Sequence, residues 1–353
     1  MSTRERNIGI DALRVLCMLA VVIYHLLGHG WIMTLISEDS WKFELLAALR
    51  SGCFFGISCF ALISGYVGVQ SRYRYSALAI QWLKVWVYSV LFTWLADVLF
   101  PGTVTQEQWR TAFFPAQTQQ YWYFSAYVGC FMLAPVIRMA IRKMTFRQAS
   151  FMAAGLVLVF SCLNSWQGGD PYFVNAGKNT LWLVVLYAIG AYFGQFRPHE
   201  RIPMILLWIF AVFSMLLLAG MKPVGERLGF AIGAPRNDSP ETILAAISML
   251  LLFSRIRIVR GGKLVSVLGA ASFGVYLIHD HPIVRRYTIS TYAYLLAGLG
   301  TVTIVPGVIL ASMGVYLVCT VVDTLRQKLF DLLHIRQGFA AIEKKLIGDL
   351  WAD

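Results

Sequence analysis

Apolar segments long enough to cross a lipid bilayer recur along the whole chain, and they constrain its fold more than any single motif. A membrane-spanning α-helix needs about 20 predominantly apolar residues. The composition supplies them, since 58% of the residues are hydrophobic, 14% are charged and the mean hydropathy is +0.65. The sequence therefore predicts an all-α polytopic membrane protein with about ten transmembrane helices. The predicted spans lie near residues 9 to 30, 47 to 69, 77 to 100, 121 to 140, 149 to 165, 180 to 196, 203 to 221, 241 to 256, 264 to 284 and 294 to 321.

Basic residues are distributed unevenly between alternate connections of these spans. If the N-terminus is cytoplasmic, the inside connections hold about twice as many Lys and Arg residues as the outside ones, which is the bias that orients membrane helices. The bias predicts that both termini are cytoplasmic in a multi-pass protein of the inner or plasma membrane. It also explains much of the net charge of +12. We therefore expect membrane lipids, and no nucleic acid, as partners.

Two regions differ in their pattern. Residues 1–321 carry the predicted spans, and we expect them to form one transmembrane domain. In residues 322–353 leucines are interleaved with Arg and Lys, a pattern that predicts a cytoplasmic amphipathic helix or tail. The six cysteines show no Cys-x-x-Cys or Cys/His spacing. We therefore expect no metal.

Arg14 and His25 are ionisable residues inside the first span, where such groups are costly and are candidates for function. Eleven residues separate them, which places both on one helix face and about 16 Å apart along it. His279 lies as far into the ninth span as His25 does into the first, so we expect the two imidazoles at similar depth. The alternatives are that Arg14 snorkels to headgroups, that His25 is a satisfied core histidine, and that His279 belongs to a polar helix end.

A cluster of cations is predicted near the inner surface. Arg14 lies in the first span, Arg72 and Arg74 lie in the short second connection, and Lys84 lies in the third span. Such a cluster suits an anionic phosphate ligand from the cytoplasm. Positive-inside loop charge is the alternative for Arg72 and Arg74.

Four short motifs, in this order, resemble the signature of the membrane-bound acyltransferase 3 family. They are Arg14-x10-His25, Cys59-Phe-Ala-Leu-Ile-Ser-Gly-Tyr66, Tyr121-Trp-Tyr-Phe124 and Ser272-Phe-Gly-Val-Tyr-Leu-Ile-His279. The chain looks most like bacterial enzymes that O-acetylate cell-surface polysaccharides, with a match from about residue 7 to 320. It departs from many members at Ala61-Leu62, where they have Phe-Phe.

The resemblance implies an acetyl-CoA-dependent O-acetyltransferase that modifies an extracytoplasmic glycan. In that reading His25 is the general base or a transient acyl carrier, and His279 supports it. The implied CoA-binding residues are Arg14, Arg72, Arg74, Lys84, Ser64 and Tyr66, and the implied acceptor-binding residues are Trp122, Tyr123 and Asp97. For Trp122 and Tyr123 the interfacial aromatic belt is the alternative.

Two other classes of function fit a chain of about ten spans. A transporter or flippase for lipid-linked saccharides would need an acceptor path and intramembrane polar groups, but no CoA site. The second class is a non-catalytic sensor or partner-binding membrane protein. Binding or slow hydrolysis of acetyl-CoA by the purified protein would separate an acyltransferase from both.

Overall fold

The computed structural model describes residues 6–166, 169–229, 233–286, 290–346 and 348. Throughout this described part the regular structure is helical, and no strand occurs in it. The α-helices are α1 (Ile8–Gly28), α2 (Trp41–Gly52), α3 (Phe55–Gly68), α4 (Tyr75–Leu99), α5 (Gln106–Phe113), α6 (Trp122–Lys143), α7 (Phe146–Val157), α8 (Asn164–Trp166), α9 (Thr180–Phe196), α10 (Met204–Arg227), α11 (Pro240–Arg255), α12 (Gly262–His279), α13 (Pro282–Val284), α14 (Ser290–Ala297), α15 (Ile304–Leu332) and α16 (Ile335–Leu346).

The helices confirm the predicted all-α membrane fold. Eight helical segments of the described residues are long and apolar enough to cross a bilayer. The predicted spans at 180 to 196 and 241 to 256 correspond to α9 and α11, which have only 17 and 16 residues. A π-helical stretch, Leu158–Leu163, continues α7 to the end of one of the eight segments and leads into α8. The count of ten spans and the cytoplasmic position of both termini stay predictions.

Helix α1 is central to the bundle and fixes the position of the site. It packs against α12, α3, α15 and α11. Its N-terminus is capped by Asn7, whose side chain accepts a hydrogen bond from the backbone N–H of Ile10. Helix α12 runs parallel to it, because Asp11 contacts Ser266 near the start of both helices and His25 contacts His279 near the end of both. The expectation that the two imidazoles lie at similar depth is confirmed.

Close helix packing in the bundle depends on small residues. A Cβ atom on Gly65 of α3 would lie 2.0 Å from the carbonyl oxygen of Tyr187 in α9, and one on Gly190 of α9 would lie 2.0 Å from that of Leu62. Only glycine lets these backbones approach so closely, as is common between membrane helices. This contact fixes the end of α3, and with it the connection that carries Arg72 and Arg74.

The C-terminal part contacts the same connection. Helix α15 continues to Leu332, so the predicted boundary between residues 321 and 322 falls inside it. After a short turn, α16 packs against α4, and the Glu343 carboxylate accepts hydrogen bonds from the backbone N–H groups of Tyr75 and Ser76, at 2.6 and 3.3 Å. These are free N–H groups of the first turn of α4, so α16 caps that helix. The division into a transmembrane domain and a cytoplasmic tail stays a prediction.

Candidate active site

The two imidazoles at the ends of α1 and α12 form one hydrogen-bonded chain. His279 Nδ1 lies 2.6 Å from the carbonyl oxygen of Val275, which can only accept, so Nδ1 carries a hydrogen. In neutral His279, Nε2 is then an acceptor, and the 2.9 Å contact with His25 Nδ1 requires His25 to donate. His25 Nε2 therefore keeps its lone pair. A neutral imidazole with an unprotonated nitrogen held in a fixed orientation is what a general base requires.

Asp280 lies directly beside this chain. One of its carboxylate oxygens is 3.4 Å from His25 Nδ1 and 3.4 Å from the Arg285 guanidinium. The Arg285 guanidinium at that distance favours the ionised form of the carboxyl group. Asp280 therefore stays ionised. A fixed carboxylate at this distance stabilises a positive charge that develops on His25 during proton transfer.

His29 completes the surroundings of His25 one helical turn later. The two rings stack with centroids 4.7 Å apart. His29 Nδ1 lies 2.8 Å from the Arg285 guanidinium and 3.3 Å from the Asp280 carboxylate. His29 thus links His25 to the ion pair between Asp280 and Arg285.

His25 is in the wall of a small histidine cavity of about 60 Å³, which Phe60, Trp122, Tyr123 and Tyr276 also line. The phenol oxygens of Tyr123 and Tyr276 are buried and have no hydrogen-bond partner among the residues that the structure describes. Two unpaired hydroxyl groups near His25 are costly in an apolar wall. They are therefore candidates to bind a polar group of a substrate.

A larger central cavity of about 310 Å³ adjoins the histidine cavity and shares Phe60, Tyr123 and Phe273 with it. Arg14, Gln81 and Ser64 give it a polar wall. The Arg14 guanidinium is held by the fully buried Asp11, at 2.7 Å, so its direction is fixed. Arg14 and His25 therefore open onto connected spaces, as their shared helix face predicted.

An arginine cavity of about 250 Å³ follows, lined by Arg14, Arg72, Arg74 and Arg138, and it shares Ser64 and Tyr127 with the central cavity. Arg138 is only 5% exposed, and it donates a hydrogen bond to the carbonyl oxygen of Ser71 in the α3–α4 connection. Several guanidinium groups around one cavity create a strongly positive potential that suits a phosphorylated ligand.

On the other side of His25 lies a distal cavity of about 90 Å³. It shares Val21, His25, Ile57 and Trp122 with the histidine cavity and is also lined by Lys178 and Asn237. Because neighbouring cavities share wall residues, the four cavities follow one another in a continuous series. The series runs from the arginines at one end of α1, past His25, to Lys178 at the other end.

Comparison with known families decides the class of the chain. Residues 7–322 match the acyltransferase 3 family, whose description is "acyltransferase domain". The chain belongs to the acyltransferase 3 family. It is thus a multi-pass membrane acyltransferase, which confirms the family resemblance of its motifs. No curated protein and no solved structure matches the chain.

Within this acyltransferase 3 fold, most of the sequence-predicted site residues line the four cavities. His25, Arg14, Ser64, Arg72, Arg74, Trp122 and Tyr123 do so. His279 is behind His25 and fully buried. Tyr66 lies instead beside His199, with ring centroids 6.1 Å apart, and half-buried Asp97 lies near the end of α4; neither lines any of the four cavities. Their roles stay predictions.

Lys84 is in a different environment from the other cations. Its ammonium group is 3.3 Å from the carboxylate of Asp323, which is fully buried and also accepts hydrogen bonds from Tyr88, Arg326 and Gln327. Lys84 further lies 5.2 Å from the ring centroid of Phe273, a residue of the central cavity wall. The ion pair thus positions Lys84 against Phe273. The phosphate contact expected of Lys84 stays a prediction.

Sequence reasoning missed three groups of the acyltransferase site. Arg138 lies near the end of the fourth predicted span, where positive-inside charge is common, and its position within the span is the signal that could have found it. Asp280 directly follows His279, for which a polar helix end is the alternative. Lys178 and Asn237 belong to connections, and no periodic pattern relates a connection to the bundle interior.

One cluster has metal-ligand chemistry. His25, His29 and Asp280 offer ligand atoms within 4.8 Å of one another. The Arg285 guanidinium already lies 3.4 Å from the same Asp280 oxygen. A fixed cation at that distance opposes a divalent ion, so the arrangement favours a protein ion pair. The expectation of no metal stays a prediction.

Proposed function

We propose that the protein transfers an acetyl group from acetyl-CoA to a hydroxyl group of an extracytoplasmic glycan, with His25 as the general base. The observation that carries this proposal is the hydrogen-bonded chain from Val275 through His279 to His25, which leaves Nε2 of His25, a residue of the histidine cavity wall, unprotonated. The acyltransferase family supplies the reaction class. The line of cavities supports a donor on one side of His25 and an acceptor on the other.

The donor fits the side that contains the arginines. The phosphates of CoA carry several negative charges and match the guanidinium groups of the arginine cavity. The pantetheine arm then lies in the central cavity, and its thioester reaches the histidine cavity. Arg14 and His25 are about 16 Å apart along α1 by helix rise, a span suited to an extended arm. With the predicted topology, this entrance faces the cytoplasm.

The chemistry at His25 follows from its orientation. Nε2 takes the proton of the acceptor hydroxyl as the hydroxyl oxygen forms a bond to the thioester carbonyl carbon. The carbon–sulfur bond of the tetrahedral adduct then breaks, and the proton on Nε2 passes to the leaving sulfur, which gives free CoA. Asp280, 3.4 Å from His25 Nδ1, stabilises the intermediate imidazolium.

The two unpaired tyrosine hydroxyl groups have a matching role. Tyr123 and Tyr276 line the histidine cavity, and their buried phenol oxygens have no partner in the described part of the chain. The carbonyl oxygen of a thioester gains negative charge as the tetrahedral adduct forms. Preorganised hydroxyl donors in a site without water stabilise such charge most effectively.

The test is acetyl transfer from radiolabelled acetyl-CoA by purified full-length protein, with the parent compared to His25→Ala. We expect a loss of about 10²- to 10⁴-fold in rate, with acetyl-CoA binding retained. His334→Asn is the matched control, because His334 is exposed, lies between α15 and α16 and has a positive φ of 52° that asparagine accepts.

Three results would contradict the proposal in different ways. A His25→Ala protein with near-parent rate would remove His25 from the mechanism. A trapped acetyl-His25 adduct would replace the general base with an acyl carrier. Transport of a lipid-linked saccharide by protein that neither binds nor consumes acetyl-CoA would support the flippase.

A further inference from the structure

The distal cavity has a polar wall that the transfer chemistry at His25 does not use. Lys178 and Asn237 both line it. The ammonium group of Lys178 makes no hydrogen bond or ion pair with any described residue. Asn237 is only 2% exposed, and its side-chain oxygen has no hydrogen-bond partner in the part of the chain that the structure describes. A buried carboxamide without a partner costs free energy unless a ligand pairs with it.

Backbone contacts bring the two connections that carry Lys178 and Asn237 together. Gly177, directly before Lys178, has a φ of +77°, and a Cβ atom there would lie 2.6 Å from the Cβ of Asn237. The two connections are therefore in contact. Next to Asn237, the buried Asp238 binds Arg236 and accepts a hydrogen bond of 2.7 Å from Asn164. The Ser58 hydroxyl donates to the backbone oxygen of Asn237.

The charge of the cavity is one-sided. Its wall contains no Asp or Glu among the described residues. Asp280, which contacts the wall residues His25 and His29, and Asp238, which follows Asn237, are paired with Arg285 and Arg236. Lys178 is exposed to solvent, and its ammonium group has no carboxylate partner beside an apolar and aromatic wall that includes Trp122. Such a site favours a ligand with a negative charge and a sugar ring that can stack.

We propose that the distal cavity is the acceptor subsite and that it selects a sugar bearing a carboxylate, of the uronic acid class. Lys178 binds the carboxylate, the Asn237 amide binds a neighbouring hydroxyl, and Trp122 packs on the ring. One point charge with one amide suits a monoanion, whereas the phosphates fit the arginine cavity at the other end. This inference rests on the proposed function, because it names the acceptor of that reaction.

The test uses two probes with the same sugar backbone, trigalacturonate and its full methyl ester, which lacks the negative charges. Binding to the full-length protein in nanodiscs is followed by tryptophan fluorescence without acetyl-CoA, and acetyl transfer to each probe is followed with it. We expect the parent to bind the acid about tenfold more tightly than the ester. Lys178→Gln should abolish this preference, and Lys178→Arg should retain most of it. In transfer, Lys178→Gln should raise KM for the acid and leave KM for acetyl-CoA unchanged.

Lys344→Gln is the control, because Lys344 is exposed on α16 and lines none of the four cavities. Equal binding of acid and ester by the parent, or a preference that survives Lys178→Gln, would overturn the inference. Efficient acetylation of the neutral ester alone would leave the proposed function standing and the inference wrong. A charge preference that depends on Lys178, in protein that does not consume acetyl-CoA, would support the subsite and contradict the proposed function.

Discussion

Replacing Arg138 with glutamine should weaken acetyl-CoA binding more than replacing Arg72 or Arg74. Arg138 is 5% exposed, whereas Arg72 and Arg74 are exposed to solvent at the same cavity. A charge-assisted hydrogen bond from a buried guanidinium contributes about 1.5 to 3 kcal/mol. At about 1.4 kcal/mol per tenfold, Arg138→Gln should raise the Kd by about 10- to 150-fold. Exposed contacts are screened by salt, so the effects of Arg72 and Arg74 should shrink as ionic strength rises, and that of Arg138 should change little.

Calorimetric titration of acetyl-CoA into nanodisc-embedded protein measures these differences. Arg138 also holds the Ser71 carbonyl, so acetyl-pantetheine, which lacks the nucleotide, serves as the control ligand. Its turnover should be the same in the parent and in Arg138→Gln. Arg147→Gln, at an exposed position of α7 outside the cavities, should behave as the parent. Unchanged acetyl-CoA affinity in Arg138→Gln, or an equal loss with acetyl-pantetheine, would refute phosphate binding by this residue.

Three further predictions concern the groups around the cavities. Asp323→Ala leaves Lys84 without its buried partner and should lower the free energy of unfolding by about 3 to 5 kcal/mol in a denaturant titration. The double variant with Lys84→Met should recover most of the lost stability. Full stability of the single variant would contradict the pairing. His279→Ala should reduce kcat, by less than His25→Ala does, without changing KM for acetyl-CoA, because His279 orients the base and does not touch the donor. An altered KM would indicate a contact with the donor instead. Burial has the largest single effect on the pKa of Glu343 and raises it, but the hydrogen bonds from Ser76 and Tyr75 together outweigh burial and hold the pKa below the ordinary 4.5. The α16 contact is therefore complete above the ordinary pKa and is lost as the pH falls through the lowered value. Glu343→Gln should speed hydrogen exchange of these two amides at neutral pH, and exchange equal to the parent would argue against the cap.

Most of the fold could be predicted because lipid imposes simple rules on composition. Runs of about 20 apolar residues can only be helices at membrane depth, and that rule located α1, α4, α6, α10, α12 and α15. It was weaker for α9 and α11, which are short and largely buried among other helices. It also could not place α16, since contact with α4 depends on one carboxylate, Glu343, and on the path of the chain after α15.

The site was predictable where a polar residue interrupts an apolar run. His25, Arg14 and His279 were found in that way, and the helix period correctly related them. Arg138 and Lys178 were not found, because charges at helix ends and in connections are common for topological reasons. The partner of Lys84 was missed because Asp323 is 239 residues away, and only the packing of α4 against α15 and α12 brings the two together. Whether a cation such as Lys84 is paired with a carboxylate depends on the packing of the folded bundle.

The central claim is that an acetyl group passes along the cavity line from one side of the membrane to the other. The direct test uses sealed proteoliposomes with protein of known orientation, acetyl-CoA only on the side of the arginine cavity and a glycan acceptor only on the side of the distal cavity. The measured quantity is acetyl ester on the acceptor, for the parent and for His25→Ala. The account predicts acetylation across the membrane by the parent and none above background by His25→Ala. Acetylation only when donor and acceptor share one compartment, or transfer that survives His25→Ala, would contradict it.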